Sequence, residues 1–234
     1  MLRLYTPEPP AADGTIRIPR AELRHLHALR LGPGDRLCVF DDAGHEHEVV
    51  LDHVTTREAM ARVVATSRTS RESPLELVLV PALVKHERMD WVVEKATELG
   101  VVRIAPMVTR YTVARGNHAD RWRRIALAAA KQCGRTRIPA IDAPRPLAAV
   151  LGDTWPGLRL VAWEEERAAR FADLPDVADA ITLLIGPEGG LEAAEVAAAR
   201  AAGFTTLSLG HRILRADTAA IVAMALCQQR WGDG

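Results

Sequence analysis

The pattern of apolar and polar residues changes near residue 74. Before it, short stretches alternate apolar and polar positions: RLCVF at 36–40, HEVVLDHV at 47–54 and MARVVATS at 60–67. Alternation of this kind predicts strands, and DDAG at 41–44 is typical of a hairpin turn between two of them. AELRHLHALRL at 21–31 instead spaces its leucines as on a helix. We therefore predict a small, mostly β domain over residues 1–72.

Beyond the polar stretch SRTSRESP at 67–74, which we interpret as a linker, strand-like apolar runs alternate with amphipathic, alanine-rich segments. The runs are LELVLVPAL, VVRIAPMV, LRLVAW, ITLLI and TTLSL, and the helical segments are HERMDWVVEKATELG, ADRWRRIALAAAKQCG, LEAAEVAAARAAG and DTAAIVAMALCQQRW. Strand and helix in repetition predict a parallel α/β sheet over residues 73–234. Ligands of such sheets bind at the carboxyl ends of the strands.

Composition narrows the function classes. The 234 residues are 48% hydrophobic with a mean hydropathy of −0.02, and no apolar run reaches the ~18 residues of a membrane span. The segment MLRLYTPEPP lacks the apolar core of a signal peptide, so we expect a cytoplasmic protein. Cys38, Cys133 and Cys227 are far apart and show no metal-ligand spacing, which favours reduced structural thiols over a disulfide framework or a zinc site.

A net charge of zero conceals a separation of charge along the chain. Residues 103–137 carry nine basic side chains against one acid, whereas residues 153–195 carry ten acids against three arginines. The basic segment also contains Tyr111 and Trp122, so it could bind a polyanion and stack on bases. The alternative is a solvated arginine face that pairs with the acidic segment. Charge alone does not decide between them.

The loop GPEGG at 186–190 joins the apolar run ITLLI to a predicted helix. It is neither a Walker phosphate loop nor a dinucleotide fingerprint. Glu188 would repel a phosphate and attract a cation, by about 4 kcal/mol at an effective dielectric of 20. A positively charged nucleoside without phosphates, such as the sulfonium S-adenosylmethionine, fits this loop. The alternative is a tight connection with no ligand.

The next strand also ends in a glycine loop, GHRILRADTAA at 210–220, before the last helix. We expect Asp217 to cap that helix by accepting from the N–H of Ala219 or Ala220. Arg215 precedes the positive end of the helix dipole, where a cation is unfavourable. Either a functional role of Arg215 or a local ion pair with Asp217 would explain an arginine at this position.

Together these motifs identify a family. IGPEGGL and LSLG-x-RILRADTAA, with VEKATELGV, KQCGRTRIP and HLHALRLGPGD upstream, resemble the SPOUT-class 16S rRNA (uracil-N3) methyltransferase family over nearly the whole chain. The resemblance implies a PUA-like RNA-binding β-barrel at 1–72 and a trefoil-knotted α/β methyltransferase domain at 73–234. It also implies S-adenosylmethionine as methyl donor, 16S rRNA of the small ribosomal subunit as partner, and a homodimer. The knot comes from the family alone, since threaded chains are rare.

The resemblance also assigns residues. His211 stands where many relatives carry proline, and Asp217 where glutamate is common. The resemblance implies that Arg135, in KQCGR, approaches the substrate and that Arg215 and Glu188 lie at the cofactor site, and we expect these three residues to be catalytic. From their positive charge rather than from the resemblance, we expect Arg20, Arg24, Arg110 and Arg115 to contact RNA, together with Arg135. Cofactor contacts are implied for Leu184, Ile185, Gly186, Pro187, Glu188, Gly189, Gly190, Leu209, Gly210, Ile213, Leu214, Arg215, Thr218 and Ala219.

The chemistry requires loss of the uracil N3–H and in-line attack on the sulfonium methyl, so positioning and charge stabilisation suffice and no metal is needed. We expect Arg215 or Arg135 to stabilise the developing uracil anion, while Glu188 or Asp217 orients donor or base. Two alternatives remain: a SPOUT methyltransferase of another RNA such as tRNA, and a non-catalytic RNA-binding or ribosome-assembly protein. The two intact glycine loops argue against the latter.

Two further features receive a structural interpretation. HEHE at 45–48 resembles a metal cluster, but it follows a turn and alternates like a solvent-facing strand, which favours an exposed hairpin. Trp91 is expected in the core rather than on a base-stacking surface.

Overall fold

The computed structural model describes residues 1–68, 71–114 and 116–234. Residues 69 and 70 of the predicted linker and Arg115 of the basic segment lie outside the described residues. The chain forms two compact units, one of Met1–Glu72 with Ala130–Ile138 and one of Ser73–Ala129 with Pro139–Gly234. Among the residues described, every helix is too short or too polar to span a lipid bilayer.

The first unit is built on a five-stranded sheet with one helix. Its elements are β1 (Arg3–Tyr5), β2 (Thr15–Ile18), α1 (Arg20–Ala28), β3 (Arg36–Phe40), β4 (Glu46–Val54) and β5 (Ala59–Ser67), with strand order β1-β3-β4-β5-β2. Among the described strands of this unit, β1 pairs with β3 in parallel and the other three pairs are antiparallel. Two register shifts in the β4–β5 pair, after Glu48 and after Leu51, increase the local twist, so the sheet wraps around an apolar core that includes Leu26 and Val39.

The second unit is an α/β sheet. Its strands are β6 (Glu76–Pro81), β7 (Arg103–Ile104), β8 (Met107–Val108), β9 (Ala140–Ile141), β10 (Arg145–Pro146), β11 (Leu158–Ala162), β12 (Ala180–Ile185) and β13 (Thr205–Leu207). Its helices are α2 (His86–Glu98), α3 (Ala119–Cys133, whose last turn belongs to the first unit), α4 (Leu147–Leu151), α5 (Ala193–Ala201) and α6 (Ala216–Trp231). Six strands pair in parallel in the order β13-β11-β12-β6-β7-β9, and β8 pairs with β10.

The predicted apolar runs became strands and the alanine-rich segments became helices. ITLLI, for example, forms the buried part of β12. A strand that helices cover on both faces of the sheet has no solvent-facing side, so its sequence is a continuous apolar run. The prediction missed the short elements β1, β2, β9, β10 and α4, which have two to five residues each and carry no periodicity of their own.

The register of three neighbouring strands positions the functional site. In the parallel sheet, Ala162 at the end of β11 pairs with Ile185 at the end of β12 and with Leu207 at the end of β13. The three strands therefore end at the same level, and their loops leave the sheet side by side.

Candidate functional site

A cavity of about 650 Å³, including the solvent at its mouth, lies where these three strands end. We call it the strand-end cavity. Its lining comes from the β11 loop (Ala162, Trp163, Glu164, Arg167), the β12 loop (Ile185, Gly186, Pro187, Glu188, Gly190), the β13 loop (Leu209, Gly210, His211, Arg212, Ile213, Leu214) and the start of α6 (Ala216, Ala219). Loops that follow the carboxyl ends of parallel strands are a common position for small-molecule ligands.

The charges around the strand-end cavity are balanced. Glu164 and Glu188 supply two carboxylates, and Arg167 and Arg212 supply two guanidinium groups. Within the described part of the chain, neither Glu164 nor Arg212 is engaged in an ion pair. Such a lining favours a ligand that carries both positive and negative charge, whereas a polyphosphate would meet the two carboxylates.

The GPEGG loop forms a tight turn in which the N–H of Gly190 donates to the carbonyl of Pro187 at 3.0 Å. Gly190 has φ +74°, a left-handed conformation that glycine adopts without steric cost. The turn exposes Glu188, whose carboxylate lies 3.4 Å from the Arg88 guanidinium. Both side chains are about one-third exposed, so this pair is weak and separable.

The β11 loop is held by the carboxylate of Glu166. Its Oε1 accepts from the N–H groups of Ala168 at 2.8 Å and Ala169 at 3.1 Å, and its Oε2 accepts from the Thr206 hydroxyl at 2.6 Å and from Arg200 at 3.2 Å. The Thr206 hydrogen bond, with the backbone donors, lowers the pKa of Glu166 to about 2. This carboxylate thus fixes the loop that carries Glu164 and Arg167 against β13 and α5.

The start of α6 differs from the prediction. The helix begins at Ala216 with Arg215 as its N-cap residue, so Asp217 lies inside the first turn, where it cannot cap. Its Oδ1 accepts instead from the N–H of Thr218 at 2.9 Å. The predicted Asp217 cap is therefore wrong, although the carboxylate still lies near the positive end of the helix. Arg215 is exposed, and in the described residues it forms no ion pair with Asp217 or any other acid.

Most of the predicted cofactor contacts lie together in one place. The cavity lining includes Ile185, Gly186, Pro187, Glu188, Gly190, Leu209, Gly210, Ile213, Leu214 and Ala219. Leu184 is buried in the core, and Gly189 lines a neighbouring groove. Arg215 and Thr218 are exposed beside the cavity rather than in its lining. The contact of each with a cofactor stays a prediction.

The predicted RNA contacts are in varied surroundings. Arg20 and Arg24 are exposed on α1, and Arg110 is exposed in the second unit. Arg115 lies outside the described residues. Arg135, assigned to catalysis as well as to RNA, belongs to the first unit, where its buried guanidinium pairs with Glu72 at 2.7 Å. A substrate role for Arg135 stays a prediction.

The basic segment is less available than its charge suggests. Five of its cations are ion-paired: Arg103 with Asp142, Arg121 with Asp90, Arg123 with Asp120, Lys131 with Glu22 and Arg135 with Glu72. None of these acids belongs to residues 153–195, so these five cations do not support the alternative in which the arginine face pairs with that acidic segment. Arg110 and Arg124 are exposed and make no ion pair with the described residues.

Two tryptophans exchange their expected places. Trp122 is 2% exposed and packs in the core, so it is not free to stack on a base. Trp91, expected in the core, is 48% exposed and lies under the Lys95 ammonium at 4.5 Å. Tyr111 is 46% exposed, which makes it the available aromatic side chain of the basic segment.

The HEHE stretch begins in the β3–β4 turn and continues in β4, as predicted, but His47 is buried rather than solvent-facing. Its Nδ1 lies 3.0 Å from the Thr66 hydroxyl, and burial lowers its pKa. No group of three or more potential metal ligands clusters within the described ranges.

The prediction missed the β11 loop and part of the β13 loop. Ala162, Trp163, Glu164, Arg167, His211, Arg212 and Ala216 line the cavity without having been assigned. A signal was present, since WEEER at 163–167 follows a strand-like run in the same way as the two glycine loops. Loops after parallel strands meet at one edge, so the third strand end belongs to the same site.

Comparison with known proteins gives this geometry a family. A model described as an RNA methyltransferase domain matches residues 71–228, and one described as an RNA methyltransferase PUA domain matches residues 18–64. The ribosomal RNA small subunit methyltransferase E of Synechocystis sp. is 32% identical over 91% of this chain and 72% of its own length. The chain belongs to the ribosomal RNA small subunit methyltransferase E family.

Solved structures agree with this assignment. The ribosomal RNA small subunit methyltransferase E of Neisseria gonorrhoeae, solved with S-adenosylmethionine, is 33% identical with a TM-score of 0.92, covering 100% of this chain and 99% of that one. A Legionella pneumophila protein, solved with the bound cofactor SAM, is 30% identical with a TM-score of 0.94 over the same shares. The predicted fold class, a PUA-like domain followed by a SPOUT-type parallel sheet domain, is confirmed.

Replacing Glu166 with glutamine should destabilise the protein and change its response to acid. Because the folded-state pKa is depressed to about 2, the carboxylate stabilises the fold above its usual pKa near 4.5, and this contribution is lost as the pH falls through about 2. We expect the wild type to lose about 1–3 kcal/mol more than Glu166→Gln between pH 6 and pH 2.5, measured by urea denaturation. Glu165→Gln, which changes the exposed neighbour, should behave as the wild type. Identical pH profiles for wild type and Glu166→Gln would refute this role.

Proposed function

We propose that this protein transfers a methyl group from S-adenosylmethionine to N3 of a uridine in the 16S rRNA of the small ribosomal subunit. The observation that carries the proposal is the strand-end cavity, in which two glycine loops and a third strand end surround a charge-balanced space. Membership of the methyltransferase E family and the cofactor in the Neisseria gonorrhoeae structure support the same reading.

The lining suits this cofactor in its chemistry. Apolar side chains such as Ile185, Leu209 and Leu214 give a nucleoside a surface to pack on, and the loop backbone supplies donors and acceptors. Glu164 and Glu188 would hold the sulfonium and the amino group, while Arg167 or Arg212 would hold the carboxylate. The bound cofactor supplies an electrophilic methyl group.

The protein has three tasks at this site. The β12 and β13 loops hold the donor in one orientation, which lowers the entropic cost of in-line attack. Glu188 orients the positively charged donor. Arg215, exposed beside the cavity, stabilises the negative charge that develops on the uracil as its N3–H gives its proton to solvent water. N3 then bonds to the methyl carbon as the bond between that carbon and sulfur breaks, and S-adenosylhomocysteine leaves. Arg135 remains the second candidate for that role.

RNA binding is proposed to involve both units. Arg20 and Arg24 present positive charge on α1 of the first unit, and Arg110 and Arg115 belong to the basic segment of the second. Such contacts with phosphates position a nucleic acid without reading its sequence. A domain boundary at residue 72, with a PUA-like RNA-binding domain before it, remains part of this proposal.

We also propose a homodimer formed through α6. The helix is apolar on most of its circumference: Ala223, Met224 and Cys227 are buried, whereas Ile221, Val222 and Leu226 remain partly exposed in the single chain. A helix that is apolar all round is expected to be covered. Light scattering should give twice the 25.5 kDa of one chain, and Val222→Glu should reduce it toward one. A single-chain mass for the wild type would contradict the dimer.

Removing one carboxylate from the cavity should weaken the binding of the sulfonium selectively. We expect Glu188→Gln and Glu164→Gln each to raise the Kd for S-adenosylmethionine about 5- to 30-fold, the equivalent of about 1–2 kcal/mol. The effect on S-adenosylhomocysteine, whose sulfur is uncharged, should be smaller. Isothermal titration calorimetry measures both ligands, and Glu165→Gln serves as the exposed control. Equal losses for the two ligands would exclude the charge interaction.

Methyl transfer tests the activity itself. Incubation of the protein with labelled S-adenosylmethionine and small ribosomal subunits or naked 16S rRNA should label a uridine, recovered as 3-methyluridine after digestion. Arg215→Gln should lower kcat about 100-fold, as found for the loss of a group that stabilises an oxyanion. Label in tRNA or on another atom would favour another methyltransferase, and cofactor binding without transfer would favour a non-catalytic protein.

A further inference from the structure

A second depression adjoins the strand-end cavity on the side of the GPEGG loop. Its volume is about 1070 Å³ including the solvent at its mouth, and its lining includes Lys85, Arg88, Arg110, Tyr111, Glu188 and Gly189. We call it the basic groove. Three cations face one carboxylate here, in contrast to the balanced charges of the strand-end cavity.

The basic groove and the strand-end cavity meet at Glu188, which lines both of them. The Arg88 guanidinium lies 3.4 Å from this carboxylate at the boundary. A molecule in the groove therefore lies beside whatever occupies the cavity. This adjacency is what a methyl acceptor needs, because the reacting atoms must approach to about 3–3.5 Å.

Tyr111 is fixed on the GPEGG loop. A Cβ atom added at Gly189 would lie 2.8 Å from Cβ and 3.4 Å from Cγ of Tyr111, so the tyrosine packs directly on the glycine backbone. The side chain is nevertheless 46% exposed. An exposed aromatic ring with a fixed base is suited to stacking on a nucleobase.

The segment that carries Arg110 and Tyr111 is tied to the start of α5. Glu195 accepts from the Arg110 N–H through Oε1 at 2.8 Å and from the Glu192 N–H through Oε2 at 3.0 Å. A hydrogen-bonded turn between Thr109 and Thr112 closes the segment. Tyr111 and Arg110 are thus placed by the same helix that follows the GPEGG loop, and Glu195 acts as their positioning residue.

We infer that the basic groove binds the RNA nucleotide that is to be methylated, with Tyr111 stacked on a base and Lys85, Arg88 and Arg110 on the adjoining phosphates. The inference rests on the proposed methyl transfer and specifies where the RNA enters. The positive charge of the groove favours binding of a polyanion, and the exposed Tyr111 ring favours a polyanion with bases on which it can stack. An interface between two protein copies is the competing use of the same surface.

Two substitutions test the stacking. Tyr111→Leu keeps the apolar volume but removes the aromatic face, so the Kd for unmethylated 16S rRNA should rise about 5- to 150-fold. Tyr111→Phe keeps the ring and should restore affinity to within about threefold of the wild type. Filter binding in the presence of saturating S-adenosylhomocysteine measures this without turnover. The Kd for S-adenosylmethionine, measured by calorimetry, should be the same in all three proteins.

The charge contribution is read from salt dependence. Arg110→Gln should reduce the slope of log Kd against log salt by about one, whereas Tyr111→Leu should leave the slope unchanged. Arg124→Gln is the matched control, because Arg124 is also exposed and lines neither the strand-end cavity nor the basic groove. Equal effects of Arg110→Gln and Arg124→Gln would overturn the assignment of the phosphates to this groove.

The outcomes separate this inference from the proposed function. Methylation by the wild type with equal RNA affinity and activity in Tyr111→Leu would overturn the groove and leave the function intact. A wild type that binds RNA but transfers no methyl group would overturn the function, and the affinity ratios would still test the groove. A change of mass in light scattering on Tyr111→Leu, with RNA affinity unchanged, would assign the surface to a protein interface instead.

Discussion

The parallel, in-register pairing of β11 with β12 and β13 is the constraint on which the rest of the site depends. Because Ala162, Ile185 and Leu207 lie side by side, three loops must leave the sheet at one level. None of these loops could form the cavity alone, since each contributes one part of its lining. The core beneath them, which includes Val161, Leu184 and Phe204, keeps the strand ends at fixed separations. The side chains that line the cavity belong to loops, and the rigid strands below them hold these loops in place.

The carboxylates of Glu166 and Glu195 fix the conformation of the segments around the site through hydrogen bonds. Glu166 gathers two backbone N–H groups, the Thr206 hydroxyl and Arg200, and Glu195 joins the Arg110 N–H to the start of α5. Charge-assisted hydrogen bonds of this kind are stronger than neutral ones. This explains part of the acidity of residues 153–195. Several of these acids accept hydrogen bonds from the backbone, and Glu164 and Glu188 line the cavity, so few are left to neutralise the arginines of residues 103–137.

Periodicity and loop chemistry predicted much of the fold and the centre of the site, for identifiable reasons. β12, GPEGG and α5 follow one another as a buried run, a permissive turn and a helix, and each has a local signal. The β11 loop was missed because WEEER contains no glycine and resembles an ordinary polar surface. The position of Trp122 was predicted wrongly because the charge of its neighbours was weighed above its spacing, and that of Trp91 because its apolar neighbours were weighed above its spacing. Ala119, Trp122, Ala126 and Ala130 form a helical stripe that is buried, whereas Trp91 falls between the buried positions Met89, Val92 and Val93.

Other features have no local signal. The position of Asp217 relative to the start of α6 depends on where the preceding loop ends, and helix boundaries are the least determined part of a pattern. The basic groove joins residues from the loop after β12, from the start of α2 with the residue before it, and from the segment after β8, which are up to about a hundred positions apart in sequence. Counting charges along the sequence identifies Arg110 as part of a basic segment. It does not identify Lys85 and Arg88 as its neighbours, because they come from other parts of the chain.

The two adjoining depressions explain how a protein with no net charge can attract two ligands of opposite charge. Charges separated by more than about 8 Å are largely screened at physiological salt, so the local arrangement matters more than the sum. The two carboxylates of the strand-end cavity, with its two arginines, suit the proposed donor, which carries both a cationic sulfonium and a carboxylate, and the three cations of the basic groove suit the proposed anionic acceptor. Glu188 belongs to both, and its pair with Arg88 lies at the boundary. A cationic donor would compete with Arg88 for this carboxylate, and an anionic acceptor would compete with Glu188 for this guanidinium. Each ligand would thus free the group that the other one binds, so occupation of one site should favour occupation of the other.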